Sequence, residues 1–489
     1  MKKIPNRQVH LDFHTSEMID QVGSKFSAEE FADTLKNANV EAVTLFTRCH
    51  HGNLYYDSTK YPERIHPHLK VKDMYREQAK ECRKKGIKVY LYTTICWDIR
   101  VAAEHPEWVA IDDYARISRR ETGNIFEDPG FHVDLCINSP YREFCKEQIA
   151  DALENCPVDG VLVDASFVVE CCCPRCRKSM LEKHLNPADP QDRKKHAWQI
   201  YYDFVREMTD YLHEIDSDYD IFFNKGHVGA QDIPVRDCFD YVAVESQPAN
   251  CGYMDFPVSA RYLRTWGVPV VGMTGRFLTG WGDNNSYRNQ AALEYESFSA
   301  LSYGGLCNIG DQLPPSGQLD KDMYGVIGDV FRQVKEKEPW CEDVTALSEM
   351  AVFNPEEFYG GAPGTVNPHA EGVCRMLQEL GYQYDLVDSE SDYSQYRLLL
   401  LADNIPVDHK LECRLKEFMD QGGALIVMGE AGLKNSDANL AQPASKFATF
   451  DLGKEMAKRF EQKNTSMICS DLRGTDGKTD RLRSCRGCV

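Results

Sequence analysis

Short runs of β-branched and aromatic residues alternate along the chain with stretches whose apolar residues recur at helical spacing. The runs are "RQVHLDF" (7–13), "VEAVTLFTR" (40–48), "IKVYLYTTICW" (87–97), "VDGVLVDASF" (158–167), "YDIFFNKG" (219–226), "DYVAVESQ" (240–247), "VPVVGMTGRF" (268–277) and "GLCNIGDQ" (305–312). Amphipathic stretches such as "SAEEFADTLKNAN", "VKDMYREQAKECRKKG" and "SPYREFCKEQIADALENC" separate them, and a long helix is expected near 190–215. Strands alternating with helices predict a parallel sheet. Eight units within 1–342 predict a (β/α)8 TIM barrel, with a doubly wound open sheet as the competing arrangement. The count of eight, and the polar residues that follow most of the runs, favour the barrel.

The alternation restarts after "KEKEPWCEDV". "LSEMAVFNP", "HAEGVCRMLQELGY", "YDLVD", "YRLLLLAD", "LECRLKEFMDQGG" and "ALIVMGEAG" predict a flavodoxin-like α/β domain over 343–450. The tail, 451–489, is charged and loses this periodicity.

Composition narrows the classes. With 489 residues, 42% apolar and 27% charged, the chain suits a globular protein. A formal net charge of −20 without a basic run argues against a nucleic-acid partner. The start "MKKIPNRQVHLDF" has no apolar stretch suited to a signal peptide, and no later segment approaches a membrane span, so a cytoplasmic location is expected. In that reducing compartment the 19 cysteines are expected to be mostly free thiols. Within "CCCPRC" (171–176), Cys173 and Cys176 form a single CxxC without a second pair. That is a weak zinc signal, and the expectation is a reduced structural loop with no metal and no cofactor.

If the barrel forms, chemistry gathers at the C-terminal ends of its strands. Those positions hold His14, His50 and His51, Trp97 with Asp98, Asp164, Asn224, Glu245, Arg276 and Asp311. There is no glycine-rich phosphate loop after a strand and no nucleophilic serine elbow. Carboxylates and imidazoles in one mouth suit a sugar. Asp164 closes an almost wholly apolar strand, where an acid is costly unless paired or hydrogen-bonded; its structural alternative is a loop cap. Glu245 ends the sixth run in a similar frame, with a salt bridge as its structural alternative. Asp98, Asp311 and Glu17 are weaker competitors. The adjacent His50 and His51 would point to opposite faces of a strand, so both can serve one site only if the chain bends there. Tyr55, Tyr56 and Trp281 are pocket candidates that fit a core equally well.

"RCHHGNLYYDS" resembles the paired-histidine motif of glycoside hydrolase family 29 α-L-fucosidases, and "DFHTS" resembles that family's first strand end. The layout of "ESQP", "RYLRTWG", "MTGRF", "WGD" and "IGDQLPPSG" resembles more closely the group called hypothetical glycosyl hydrolase 6. That group includes the family 151 α-L-fucosidases and carries a β-galactosidase-type trimerisation domain after its barrel. The resemblance implies a retaining exo-glycosidase acting on fucosylated oligosaccharides or glycosides. In it Asp164 is the nucleophile, and His14, His50 and His51 hold fucose hydroxyls. Glu245 as acid/base rests on its position, and Trp97, Asn224, Arg276 and Trp281 are expected to bind substrate. The resemblance also implies a homo-oligomer. Members of the group continue into a C-terminal β-domain, so the early, atypical tail implies a truncated or frame-shifted end. Three rivals stand beside this reading: a related retaining galactosidase, a metal-dependent amidohydrolase-like enzyme suggested by "HLDFH" and Asp311, and a non-catalytic sugar-binding protein.

Overall fold

The computed structural model describes residues 3–119, 131–154, 156–283, 286–342, 344–362 and 364–432. The chain forms two compact units. The first comprises Met1–Val228, Pro234–Asn250 and Val268–Asp343; the second comprises Gly229–Ile233, Cys251–Gly267 and the chain from Val344.

In the first unit, eight parallel strands follow the sequence runs closely. They are β1 (Arg7–Asp12), β2 (Ala42–Phe46), β3 (Lys88–Thr94), β4 (Gly160–Asp164), β5 (Asp220–Phe223), β6 (Val242–Glu245), β7 (Val270–Gly275) and β8 (Leu306–Gln312). Their order, β5-β4-β3-β2-β1-β8-β7-β6, is that of a TIM barrel. The seam between β5 and β6 is bridged where these strands begin. The Asp240 N–H donates to the Ile221 carbonyl at 3.1 Å, and the Ile221 N–H donates to Asp240 Oδ2 at 2.9 Å. The strands are buried along almost their whole length, as parallel strands covered by helices must be.

The helices start where local chemistry says they should. Ser27 accepts the Glu30 N–H and opens Ala28–Asn37. Asp189 caps Pro190–Ile215, whose first residue is proline, and Asp320 caps Lys321–Lys337. Among the described residues no helix is long and apolar enough to cross a membrane.

The second unit holds a four-stranded parallel sheet of β9 (Met350–Phe353), β10 (Asp385–Val387), β11 (Leu398–Leu401) and β12 (Ala424–Val427). Its order is β10-β9-β11-β12, with Phe353, Leu399, Leu401, Leu415 and Phe418 in its core. The helix Asp255–Leu263, which lies between β6 and β7 in the chain, belongs to this unit: Tyr262 Oη donates to Asp388 at 2.7 Å. The later part of the expected second domain, and the tail 451–489, lie outside the described residues.

Candidate active site

Asp164 is the last residue of β4 and Glu245 the last of β6. Asn224, one residue past the end of β5, joins them. Its Nδ2 donates to Asp164 Oδ1 at 2.8 Å and to Glu245 Oε2 at 3.3 Å. These two oxygens therefore lie at most 6.1 Å apart, the sum of the two bond lengths. The backbone around Asp164 is fixed on both sides. The Ile95 N–H donates to the Asp164 carbonyl at 2.9 Å, the Asn224 N–H to the Val163 carbonyl at 2.8 Å, and the Ser166 N–H to the Asn224 carbonyl at 3.0 Å. Ala165 takes a left-handed φ of 50°, a costly conformation for a residue with a side chain and one that recurs at functional sites.

Both acids hold their protons more tightly than usual. Burial, followed by the charge of Asp164, pushes Glu245 up to about 7. Burial also raises Asp164, opposed by Tyr92, His10, the Ala165 N–H and Asn224. The donors are distributed unequally: Tyr92 Oη donates to Asp164 Oδ2 at 2.5 Å in addition to the Asn224 bond, whereas Glu245 receives Asn224 at the longer distance. Two buried carboxylates this close resist double ionisation, so the proton rests on the acid with fewer donors, Glu245.

The histidines form the opposite bank. The chain bends after β2: the Gly52 N–H donates to the Cys49 carbonyl at 2.9 Å, and Gly52 has φ +79°. A Cβ at Gly52 would come within 2.4 Å of Asp98 Oδ1, so only glycine fits this turn. His50 Nδ1 is 2.9 Å from Thr94 Oγ1, its Nε2 is 4.0 Å from Asp164 Oδ2, and its ring centroid is 4.3 Å from that of His14. His51, despite being the next residue, reaches the same region. The rings of His14, His50 and His51 all approach Phe131, at 5.6, 5.1 and 4.9 Å. Burial, with only partial opposition from Asp12, lowers His14 to about 4, and burial with the neighbouring histidines takes His50 well below its ordinary value. Both are neutral imidazoles near pH 7.

Trp97 lies edge-on to His50 at 5.0 Å, with Nε1 donating to Asp134 at 3.0 Å. Trp281 covers Gly310 of β8, where a Cβ would meet its ring at 2.3 Å, and sits 5.7 Å from the His10 ring. Arg276 belongs to an adjoining cluster: it is paired with Asp311, donates to the Ser286 carbonyl at 3.1 Å, and lies over Tyr287. Asp98 is fully consumed, accepting from Arg48 at 2.6 Å and capping the helix Ile99–Glu104. Glu17 is exposed. Tyr55 and Tyr56 are core residues whose hydroxyls meet Thr15 and Asp151, each at 2.7 Å.

Three residues of the site escaped the sequence reading. His10, Asp12 and Tyr92 all lie within strands. His10 Nε2 is 3.1 Å from Asp12 Oδ1, and its Nδ1 is buried without a hydrogen-bond partner. Burial works against charge on His10, but Asp12, Asp164 and Glu245 outweigh it and raise its pKa. Spacing gave no distinguishing signal: His10 and Asp12 alternate onto one face of β1 like any strand positions, and His14 lies two residues past its end. Gln247, two residues beyond Glu245, is buried with neither end of its amide bonded. A cavity of about 800 Å³ between the helices Ala28–Asn37 and Lys321–Lys337 shares no residue with this site.

Residues 27–165 match the family model described as hypothetical glycosyl hydrolase 6. Among solved structures, the α-L-fucosidase isoenzyme 2 from Paenibacillus thiaminolyticus is 32% identical, with a TM-score of 0.83 over 88% of this chain and 65% of that one. The chain thus spans just under two thirds of that enzyme's length. The β-galactosidases from Bacillus circulans sp. alkalophilus and from Marinomonas ef1 are each 14% identical, with TM-scores of 0.65 and 0.63 over 88% of this chain and 72% and 76% of theirs; they share the fold. No curated protein matches the chain in sequence.

Proposed function

We propose that this chain, which carries the hypothetical glycosyl hydrolase 6 region over residues 27–165, is a retaining exo-glycoside hydrolase and acts as an α-L-fucosidase. One observation carries the mechanism: the Asn224 amide holds an oxygen of Asp164 and an oxygen of Glu245 within 6.1 Å of each other. Retaining glycosidases need their carboxyl groups about 5–5.5 Å apart, and inverting ones about 6.5–9.5 Å, to leave room for a water. In the first step an ionised Asp164 attacks the anomeric carbon, while Glu245 gives its proton to the departing oxygen. In the second step Glu245 takes a proton from water, which attacks the same carbon and releases Asp164. His14 and His50, neutral and with their rings 4.3 Å apart, are suited to sugar hydroxyls as donors or acceptors. The α-L-fucose assignment draws on the 32% identical fucosidase and on the paired-histidine segment.

A panel of nitrophenyl glycosides, followed by NMR of the first-formed sugar, tests both parts. α-L-Fucoside should be the preferred substrate and the product should keep its anomeric configuration. An inverted product removes Asp164 as nucleophile, and preference for a galactoside moves the substrate but not the mechanism. For the second unit we propose self-association, checked by light scattering: a trimeric mass supports it and a monomer ends it.

A further inference from the structure

We propose that Cys136, Cys171, Cys173 and Cys176 bind one structural zinc ion, which ties together the two loops that form one wall of the candidate active site. Among the described residues these four sulfur atoms lie within 4.8 Å of one another, and all four side chains are buried. Cys136 Sγ is 3.5 Å from Cys176 Sγ and 3.9 Å from Cys173 Sγ. Zinc holds four thiolates tetrahedrally at about 2.3 Å, which sets the sulfur–sulfur edge near 3.8 Å. The Cys136–Cys176 and Cys136–Cys173 pairs bracket that spacing, much too far apart for disulfides, whose sulfurs are about 2.05 Å apart. A spread of no more than 4.8 Å also suits a single ion, with no room for a multi-iron cluster between the sulfurs.

The surroundings fit thiolate ligands as well. Asn138 Nδ2 donates to Cys176 Sγ at 3.6 Å, and the Cys173 N–H donates to Cys171 Sγ at 3.4 Å. N–H donors of this kind are what a metal-bound thiolate accepts from its outer shell. Four protein ligands leave no open position, so the ion would serve structure and not the reaction. The CxCxxC run supplies three ligands from the start of the helix Pro174–Glu182. The fourth, Cys136, lies 35 residues earlier and has no recognisable motif around it.

The position of the ion gives it a second consequence. Residues 165–176 leave the barrel directly after Asp164. Cys136 closes a segment in which Phe131 touches the three site histidines and Asp134 holds Trp97. Immediately around the four sulfurs the other apolar packing is small: Ala110, with Ile111 and Val169 against it. A metal crosslink would supply the rigidity that so few apolar groups cannot.

The test uses the full chain, purified without chelator, and does not depend on any glycosidase activity. Elemental analysis should find about one zinc per chain, released to a chromogenic chelator when a mercurial blocks the thiols. Cys136→Ser and Cys176→Ser should lose it, while Cys413→Ser, an exposed cysteine of the second unit, should retain it. Wild-type protein with no metal, iron in place of zinc, or an undiminished zinc content in both variants would overturn the assignment. The wild-type count stands even if the variants fail to fold. For the positioning role, trypsin cleavage after the exposed Arg175 and Arg177 should accelerate at least about tenfold once zinc is removed. Equal rates in loaded and depleted protein would refute it.

Discussion

Both units of this chain end parallel strands in acids, and among the described residues the barrel brings two of them, Asp164 and Glu245, to one shared amide. In the second unit, Asp388 follows β10 and accepts from the hydroxyl of Tyr262 at 2.7 Å, the Glu390 N–H at 2.8 Å and Ser391 Oγ at 3.0 Å. Asp403 follows β11 and accepts the N–H groups of Asn404 and Glu430 at 2.9 and 2.5 Å. Each is satisfied by its own loop or its neighbours. In the barrel, Asp164 and Glu245 are buried with a shared amide between them, and burial outweighs their donors. An acid at a strand end is thus not in itself a catalytic group. The proposed roles of Asp164 and Glu245 rest instead on burial and a nearby second charge, which raise their hold on a proton.

The largest expected effect tests that distinction directly. Asp164→Ala should lower kcat/KM on an aryl fucoside by at least about a thousandfold, roughly 4 kcal/mol of transition-state stabilisation. Azide should restore turnover as a glycosyl azide of opposite anomeric configuration, identified by NMR. Asp388→Asn in the second unit should leave kcat/KM unchanged and cost only stability, roughly 1–3 kcal/mol in urea titration. If the two variants exchanged these behaviours, the contrast between the units would collapse.

Glu245 sharpens the comparison through pH. As the acid that must begin protonated, with a pKa near 7, it should make kcat/KM fall as pH rises above that value. Its effect on stability has a definite sign. The folded protein holds a proton that the unfolded chain, with an ordinary value near 4.5, releases at neutral pH. The stability this group contributes is therefore complete below about pH 4.5 and is lost as pH rises through 7. Glu245→Gln removes the titration, so above pH 8 it should be more stable than wild type, by on the order of 3 kcal/mol at about 1.4 per pKa unit. Near pH 4 the two should match. Paired urea titrations at the two pH values measure this, and equal stability at both would mean that Glu245 is not the strained acid.

How far the site was legible in sequence follows the same division between strand ends and strand interiors. The eight runs found all eight barrel strands, and Asp164, Asn224 and Glu245 could be read because a polar residue ending an apolar run stands out. His10, Asp12 and Tyr92 were not legible. Inside a strand, a polar residue facing the barrel axis looks like any alternating position, and only the closed sheet shows what it meets. Asp98 and Asp311 looked like Asp164 in sequence, and the structure separates them by partners far along the chain, Arg48 and Arg276. The fourth cysteine of the sulfur cluster was hidden for the same reason, since Cys136 joins Cys171, Cys173 and Cys176 only through the fold. The His50–His51 bend was legible as a need and not as a geometry: adjacent rings cannot share a face unless the strand has ended, and Gly52 marks where it turns.

The smallest expected effects divide that histidine pair. His50 is buried, its Nδ1 engaged by Thr94 at 2.9 Å and its Nε2 4.0 Å from Asp164 Oδ2. Held in orientation by Thr94 beside the proposed nucleophile, it is placed to meet a hydroxyl close to the reacting carbon. His51 is half-buried and faces Phe131 from farther along the turn. His50→Ala should therefore reduce kcat/KM by about 1–3 kcal/mol, the cost of leaving a substrate hydroxyl unpaired in a dry site. His51→Ala should lose less, under about 1 kcal/mol, and mainly through KM, because a group that only helps to enclose the sugar binds ground state and transition state alike. His50 is a neutral ring near pH 7, so its removal should not shift the descending pH limb set by Glu245. Thermal unfolding of each variant guards the interpretation. If His50→Ala unfolds well below wild type while kcat/KM per folded molecule is retained, the ring supports the turn, and sugar recognition passes to His14 and Trp97. If His51→Ala proves the more damaging of the two in kcat, the sugar lies on the Phe131 side of the mouth, and the distance from His50 to Asp164 reflects packing alone.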